Sequence, residues 1–226
     1  MIQQKGILPV VQKHDIIAQA QSGTGKTATF SIGVLQLIDY SSPECQALII
    51  APTRELAIQN HKNVFCLSEF LKIRTRCLIG GTELREDSKT LKDGGVQVVV
   101  GTPGRVKDLI NRKALKTDHL KVVVLDEADE MLSRGFVESV REIFENLPSD
   151  IQVCLFSATM PPEIVEMTDN FMKTPVKILV KNQQLTLEGI KQFYISLQED
   201  SQKFGTLLQL YKNMTIAQCM VFTNRK

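Results

Sequence analysis

The fold is decided by the stretch VVVLDEAD, residues 122–129, in which four apolar residues run directly into two adjacent acids. Three of the four are β-branched and none alternates with a polar residue, so the run predicts a strand buried on both faces. The carboxyl end of such a strand is where a parallel sheet opens to ligands. There Asp126 can hold a hydrated Mg²⁺ while Glu127 orients a water. The alternative is an ordinary helix start, because acids favour the first turn of a helix.

A glycine-rich segment earlier in the chain weighs against that alternative. Residues 20–27 read AQSGTGKT and lie between a predicted strand at 15–20 and a predicted helix at 25–39. Gly23 and Gly25 allow the backbone to turn its amides toward phosphate oxygens, and the helix that follows adds its N-terminal dipole. The loop and the two acids together indicate a nucleotide site far more specifically than either does alone.

The loop ends in Gly-Lys-Thr, which is the end of a P-loop. Lys26 is expected to reach the β- and γ-phosphates of ATP, and the Thr27 hydroxyl to ligate Mg²⁺. Asp126 would bind the same Mg²⁺ through water, and Glu127 would orient or deprotonate the attacking water. The candidate catalytic residues are therefore Lys26, Asp126 and Glu127. Ala20 stands where the general P-loop pattern has glycine, a difference of one methyl group.

Strands and helices are predicted to alternate along most of the chain. The predicted strands are at 15–20, 47–51, 74–79, 96–100, 120–125, 151–156 and 176–179. The predicted helices are at 25–39, 54–71, 84–92, 104–111, within 128–146, and at 162–171. This alternation predicts an α/β fold in which helices cover both faces of a parallel sheet.

The pattern pauses at a polar segment near residue 181 and then resumes. Beyond it we expect a strand at 192–197, a helix at 201–212 and a strand at 220–222. A β–α–β unit of this size lies near the lower limit for independent folding. We therefore predict a first domain at 1–181, a linker at 182–189, and the beginning of a truncated second domain at 190–226.

Composition limits the classes of protein that fit. The net charge is +2, so any nucleic-acid surface must be local. The five cysteines are an odd number without metal-ligand spacing, which indicates reduced cysteine rather than a disulfide framework or a zinc site. Neither a signal-peptide pattern nor a membrane span is evident. We expect a monomer without membrane contact, located in the cytoplasm, with the nucleus as the alternative.

Several motifs occur in one order along the chain and resemble those of a known family. They are the loop at 20–27, PTRELA at 52–57, Gly80-Gly81, TPGR at 102–105, DEAD at 126–129 and SAT at 157–159. The chain resembles the DEAD-box RNA helicases, more narrowly the translation initiation factor 4A group. The resemblance covers nearly the whole chain, and that family has alanine at the Ala20 position of its own P-loop.

The resemblance implies an ATP-dependent activity that binds RNA and separates duplexes, built from two RecA-like domains. The nucleotide-binding residues it implies are Gln3, Ala20, Gln21, Ser22, Gly23, Thr24, Gly25, Lys26 and Thr27, with Gln3 recognising adenine. The RNA-binding residues it implies are Thr53, Arg54, Gly81, Thr102 and Arg105. Asp129, Ser157 and Thr159 would couple hydrolysis to the RNA site. A scaffold protein of translation initiation is the partner it implies besides RNA.

The RNA path also has a physical basis. Thr53 and Thr102 each follow a predicted strand and precede a predicted helix, and right-handed crossovers bring all the carboxyl ends to one edge. Helix N-termini there, with Arg54 and Arg105, can hold successive phosphates without reading sequence. The alternative at each single position is an ordinary helix cap.

Two departures from the family pattern limit the activity that we predict for the isolated chain, and two other functions are alternatives. The family's adenine-recognition segment begins with an aromatic residue and a proline that are absent before Gln3. No segment matches the second domain's arginine-rich motifs, and an arginine finger is worth ~10³–10⁵ in rate. We expect the isolated 226 residues to be a poor ATPase. Two alternatives are an ATP-gated RNA clamp of the exon-junction type and an inactive truncated protein that binds RNA or a partner.

Overall fold

The computed structural model describes residues 2–21, 23–133, 135–160, 162, 164, 171–179 and 190–223. The chain divides into two compact units, Met1–Leu185 and Thr186–Lys226. Several predicted features lie wholly or mostly outside the described residues. They are Ser22, the helix at 162–171, the linker at 182–189 and the last residues, 224–226.

The first unit is built on a sheet of seven parallel strands. They are β1 (Ile16–Gln19), β2 (Ala47–Ile50), β3 (Thr75–Leu78), β4 (Val98–Gly101), β5 (Val122–Asp126), β6 (Gln152–Ser157) and β7 (Val176–Ile178). Their order across the sheet is β3-β4-β2-β5-β6-β1-β7. Every residue of β5 is buried, as expected for a central strand without a polar face. The predicted α/β fold with a parallel sheet is confirmed.

Helices cover both faces of this sheet. They are α1 (Ile2–Val11), α2 (Lys26–Leu37), α3 (Arg54–Leu67), α4 (Leu84–Lys92), α5 (Pro103–Asn111), α6 (Ala128–Ser133) and α7 (Val137–Glu145). Because side chains alternate along a strand, Val122 and Val124 pack in one core layer with α1, α2 and α3. Val123 and Leu125 pack in the other layer, with α5 and α7. Both core layers thus meet on the strand that carries the two acids.

Helix α1 was not expected from the sequence. Its buried residues, Ile2, Gly6 and Val10, recur every four positions, which is a helical spacing. Pro9 lies inside the helix and hides this signal, since proline disfavours helix interiors. The helix packs closely on α2, where a Cβ added at Gly33 would lie 2.5 Å from Val10 Cγ1. Its first turn brings Gln3 to the edge of the sheet.

The second unit corrects two predictions. Its helix α8 (Gln202–Asn213) agrees with the expected helix at 201–212. The predicted strands at 192–197 and 220–222 are wrong, because neither segment is a strand in the structure. Phe193 and Phe222 are each 86% exposed. An apolar run becomes a strand only when a neighbouring strand supplies hydrogen bonds and a packed face supplies burial. Residues 190–223, the described part of this unit, contain no strand beside either run.

Candidate nucleotide and RNA site

The strand order separates the candidate residues into two groups at the carboxyl edge of the sheet. The P-loop follows β1, Asp126 ends β5, and Ser157 ends β6, and these three strands are neighbours. Thr53, Gly81 and Thr102 follow β2, β3 and β4, which are the neighbouring strands on the other side. The candidate nucleotide residues and the candidate RNA residues therefore occupy adjacent halves of one edge.

An ion pair joins the P-loop to the acids. Lys26 is only 6% exposed, and its Nζ donates a hydrogen bond to Glu127 Oε1 at 2.8 Å. Glu127 has a φ of 50°, a left-handed conformation that non-glycine residues seldom adopt. Such strain persists at functional sites when the surroundings hold the residue in place. We call Lys26, Thr27, Asn60, Asp126 and Glu127 the acid–lysine cluster.

Asp126 is the buried carboxylate of this cluster. Its Oδ2 accepts a hydrogen bond from Asn60 Nδ2 at 2.8 Å, whereas its Oδ1 is buried without a hydrogen-bond partner among the described residues. Burial raises the pKa of Asp126 to about 6, against the opposing effect of the Asn60 hydrogen bond. Asn60 also accepts from Thr27 Oγ1 at 3.5 Å. One signal for Asn60 is visible in the sequence, since it is a polar residue between the buried positions of an apolar helix face.

Two glycines of the loop at 20–27, Gly23 and Gly25, have positive φ angles, which allow a backbone to turn its amides toward a phosphate. Gly25 has a φ of 98°, a backbone conformation that favours glycine, and a Cβ there would lie 2.5 Å from Gln3 Nε2 at the end of the glutamine side chain. Gln3 thus touches the loop from α1. Thr24 Oγ1 donates to the Gln21 carbonyl at 2.7 Å, which tightens the turn before the helix. Ala20 N donates to the Ser157 carbonyl at 3.0 Å and ties the start of the loop to β6.

The donors of the acid–lysine cluster suit Mg²⁺. Mg²⁺ prefers oxygen ligands and keeps several waters, so a site needs only one or two carboxylates and room for phosphate. Asp126 Oδ1 lacks a hydrogen-bond partner among the described residues. The Thr27 hydroxyl donates to the side-chain amide of Asn60, which also binds Asp126. Thr27 and Asp126 are the residues expected to hold the ion.

The candidate coupling residues contact one another. Thr159 Oγ1 and Thr159 N donate to Asp129 Oδ2 at 2.6 and 3.1 Å, and Asp129 N donates to Ser157 Oγ at 3.3 Å. Burial of Asp129 opposes its ionisation, but the hydrogen bonds from Thr159 and Ser157 outweigh it and hold the pKa of Asp129 below its usual value. The end of β6 is thereby bound to the first turn of α6.

The second half of the edge is organised by a residue that the sequence did not single out. Asp87 on α4 is 1% exposed and accepts hydrogen bonds from Arg76 at 2.8 Å, from Thr82 at 3.2 Å and from Arg105. Arg105 also donates to the Thr82 carbonyl at 2.9 Å and is 10% exposed. We call Arg76, Thr82, Asp87 and Arg105 the arginine cluster. The expected RNA ligand Arg105 is therefore anchored inside the protein through most of its donors.

Of the other candidate RNA residues, Thr53, Arg54 and Thr102 line one open cleft, whereas Gly81 is not among its lining residues. Thr53 caps α3, since its side chain accepts from Leu56 N at 3.1 Å, whereas Thr102 makes no such cap bond to α5 within the described residues. Gly81 has a φ of 89°, and a Cβ there would lie 2.8 Å from Arg54 Nη1. The cleft of about 710 Å³ is lined by Thr53, Arg54, Gly80, Thr102 and Arg105, among others.

A comparison with models of protein families identifies the family of the chain. The model of the DEAD/DEAH box helicases matches residues 1–168, which include both clusters. The chain belongs to this family. The DEAD-box resemblance that the motifs indicated is confirmed. The P-loop follows β1 and the acid pair follows β5, and β6, which carries the SAT motif, lies between these two strands.

Curated relatives from the same family are similar along the whole chain. Eukaryotic initiation factor 4A of Drosophila melanogaster is 56% identical over 225 residues, which are 100% of this chain and 56% of that protein. The ATP-dependent RNA helicase eIF4A of Neurospora crassa is 59% identical over 225 residues, again 100% of this chain and 56% of that protein. The chain thus spans about half the length of these DEAD-box relatives.

Solved DEAD-box structures share the fold. A DEAD box protein from the hyperthermophile Methanococcus jannaschii has a TM-score of 0.74 at 36% identity, over 94% of this chain and 56% of that one. A variant of S. cerevisiae Dbp5, bound to RNA and ADP BeF3, has a TM-score of 0.83 at 33% identity, over 93% of this chain and 54% of that one. The RecA-like architecture expected from the motifs is confirmed.

Proposed function

We propose that the chain is the nucleotide-binding part of an ATP-dependent RNA helicase that acts in translation initiation. The observation that carries this proposal is the acid–lysine cluster, in which the P-loop lysine lies 2.8 Å from the second acid of the DEAD motif. Relatives named for initiation factor 4A, at 56–59% identity, favour this role over an exon-junction clamp. RNA and Mg²⁺-ATP are the proposed ligands.

The cluster residues have distinct roles in binding and hydrolysis. Lys26 leaves Glu127 and contacts the β- and γ-phosphates of ATP, while the backbone amides of the loop around Gly25 surround the phosphate oxygens. Glu127, released from Lys26, is free to hold the attacking water and take its proton. Thr27 and Asp126 would hold Mg²⁺, and the ion when bound would supply positive charge against the phosphates.

The coupling residues link this site to RNA. Asp129 binds Thr159 through both its hydroxyl and its backbone amide, so a shift of the β6 end is passed to the acids at the start of α6. On the neighbouring half of the edge, Arg54 and the helix N-termini of α3 and α5 contact RNA phosphates. Recognition of the backbone makes binding independent of RNA sequence.

The partners and location of the protein follow from the same role. A scaffold protein of translation initiation is the proposed partner, and the cytoplasm is the proposed location. The structure contains no helix, among the residues it describes, that is long and apolar enough to span a membrane.

The test is displacement of one strand of a short labelled RNA duplex by the complete helicase of which the chain is proposed to be part. We expect displacement with ATP and none without it. Lys26→Ala should abolish displacement by preventing ATP binding. Glu127→Gln should abolish displacement but keep ATP-dependent RNA binding, because it retains the phosphate cradle. Displacement that proceeds without ATP, or that both variants retain, would contradict the proposed function.

A further inference from the structure

The side chain of Asn60 lies between the two residues expected to hold Mg²⁺. Asn60 lies on α3 and is fully buried. Its amide nitrogen faces one of these residues and its amide oxygen faces the other. Asn60 Nδ2 donates to Asp126 Oδ2 at 2.8 Å, and Asn60 Oδ1 accepts from Thr27 Oγ1 at 3.5 Å. A single side chain therefore connects the start of α2 with the end of β5.

The direction of this amide is set by its partners. An ionised carboxylate only accepts hydrogen bonds, so the Nδ2 group of Asn60 must face Asp126. Asn60 Oδ1 then faces Thr27, whose hydroxyl donates its proton there and keeps its oxygen lone pairs for another partner. Asp126 is held by Oδ2, which leaves Oδ1 without a partner among the described residues. Each proposed ligand thus retains the atom that a cation would bind.

We propose that Asn60 is a positioning residue that orients both Mg²⁺ ligands, the Thr27 hydroxyl and the Asp126 carboxylate, in advance of nucleotide binding. This inference rests on the proposed function and adds a residue that contacts neither ATP nor the ion. Groups that orient metal ligands in this way commonly contribute ~10–100-fold to metal affinity. The contribution here acts through two ligands at once, because the donor and the acceptor of one amide are both used.

A merely structural role for Asn60 makes a different prediction. A buried, hydrogen-bonded amide stabilises the fold, and its loss would lower the melting temperature. It would not change how strongly nucleotide binding depends on Mg²⁺. The Mg²⁺ dependence of nucleotide affinity therefore separates positioning from stability alone.

The experiment titrates Mg²⁺ into the 226-residue chain with a fluorescent ATP analogue and records bound nucleotide. Wild type, Asn60→Leu and the matched control Asn63→Leu are compared, since Asn63 is half-buried three residues further along α3. We expect Asn60→Leu to raise the half-saturating Mg²⁺ concentration ~10-fold or more. Nucleotide affinity in EDTA should stay unchanged, and Asn63→Leu should match wild type.

A folded Asn60→Leu variant with the wild-type Mg²⁺ midpoint would overturn the inference. Thermal unfolding checks the fold, and Asn60→Ala replaces the leucine variant if that one does not fold, with the same criterion on the midpoint. A wild-type chain that binds the nucleotide no more tightly with Mg²⁺ than with EDTA would overturn the proposed function as well. Failure of the inference alone is recognised by a normal wild-type response that the Asn60 variants share.

Discussion

The acid–lysine cluster and the arginine cluster lie at the same edge of the sheet, and each pairs acidic with basic side chains. They differ in whether their buried carboxylate oxygens all have hydrogen-bond partners. Both Asp87 oxygens accept hydrogen bonds, from Arg76, Arg105 and Thr82. Asp126 keeps one buried oxygen without a partner among the described residues, and Glu127 adopts a left-handed φ. Unpaired buried polar atoms and strained backbone both cost stability. The difference indicates that the arginine cluster has a structural role, whereas the acid–lysine cluster keeps an atom that can bind a ligand.

The largest expected effect is a loss of nucleotide binding, caused by a substitution in the acid–lysine cluster. Lys26→Ala removes a buried cation that pairs with Glu127 and is proposed to contact the phosphates of ATP. Losing one partner of a buried, hydrogen-bonded charge pair costs about 2–5 kcal/mol of binding free energy. We expect a corresponding loss of ATP affinity, measured by fluorescent-nucleotide binding. Lys62→Ala, an exposed lysine on α3, is the control and should bind normally. Equal affinity of both variants would show that the cluster does not hold phosphate.

The next effect tests whether the arginine cluster is structural. Asp87→Asn leaves two arginines facing an amide in a buried setting, so the free energy of unfolding should fall by about 3 kcal/mol. Nucleotide affinity of the folded variant should not change. Glu86→Gln is the control, because Glu86 is 63% exposed and pairs with the same Arg76, and such a pair contributes under about 1 kcal/mol. Urea unfolding that gives the two variants the same stability would contradict the comparison.

The acid–lysine cluster should instead gain stability when its charge is removed. Burial raises the pKa of Asp126 to about 6 from 3.8, so the folded chain keeps a proton that the unfolded chain releases. Stability therefore falls as pH rises from 3.8 to about 6, and then stays lowered. Without metal or nucleotide, Asp126→Asn should stabilise the chain by about 2–3 kcal/mol at pH 7.5, and this gain should fade toward pH 4.

Asp129 is a control carboxylate, because its pKa is shifted in the direction opposite to that of Asp126. The pKa of Asp129 is held below its usual value once the hydrogen bonds from Thr159 and Ser157 outweigh burial. Its ionised form thus stabilises the fold above the unfolded-state pKa, and this contribution is lost as pH falls through the folded-state pKa. Asp129→Asn should therefore destabilise the chain at pH 7.5. Thermal melts in which both variants shift in the same direction would refute this difference between the carboxylates.

The smallest effect distinguishes two threonines in equivalent positions. Thr53 caps α3 with its side chain, so Thr53→Ala should cost about 1 kcal/mol of stability. Thr102 makes no such bond within the described residues, so Thr102→Ala should cost less than about 0.5 kcal/mol. If both bind RNA phosphate, RNA affinity should fall in both variants. Urea unfolding and RNA-binding anisotropy measure the two quantities separately.

Local patterns predicted the sheet and the P-loop, because each is written in contiguous residues. The apolar run at 122–125 is a central strand, and Gly25 needs its glycine for a φ of 98°. Asn60 and Asp87 escaped prediction because their roles depend on partners that are distant in sequence, Asp126 and Arg105. The same dependence on distant partners explains the two wrong strands of the second unit, whose apolar patterns have no neighbouring strand among residues 190–223.

The most direct test of this account measures nucleotide affinity and RNA affinity for Lys26→Ala and Arg54→Ala in the same preparation. The two residues lie in adjacent halves of the edge, one in the P-loop helix and one at the start of α3. We predict that Lys26→Ala loses ATP binding and keeps nucleotide-free RNA binding, while Arg54→Ala loses RNA binding and keeps ATP binding. Two variants that weaken both affinities equally, or neither affinity, would contradict it.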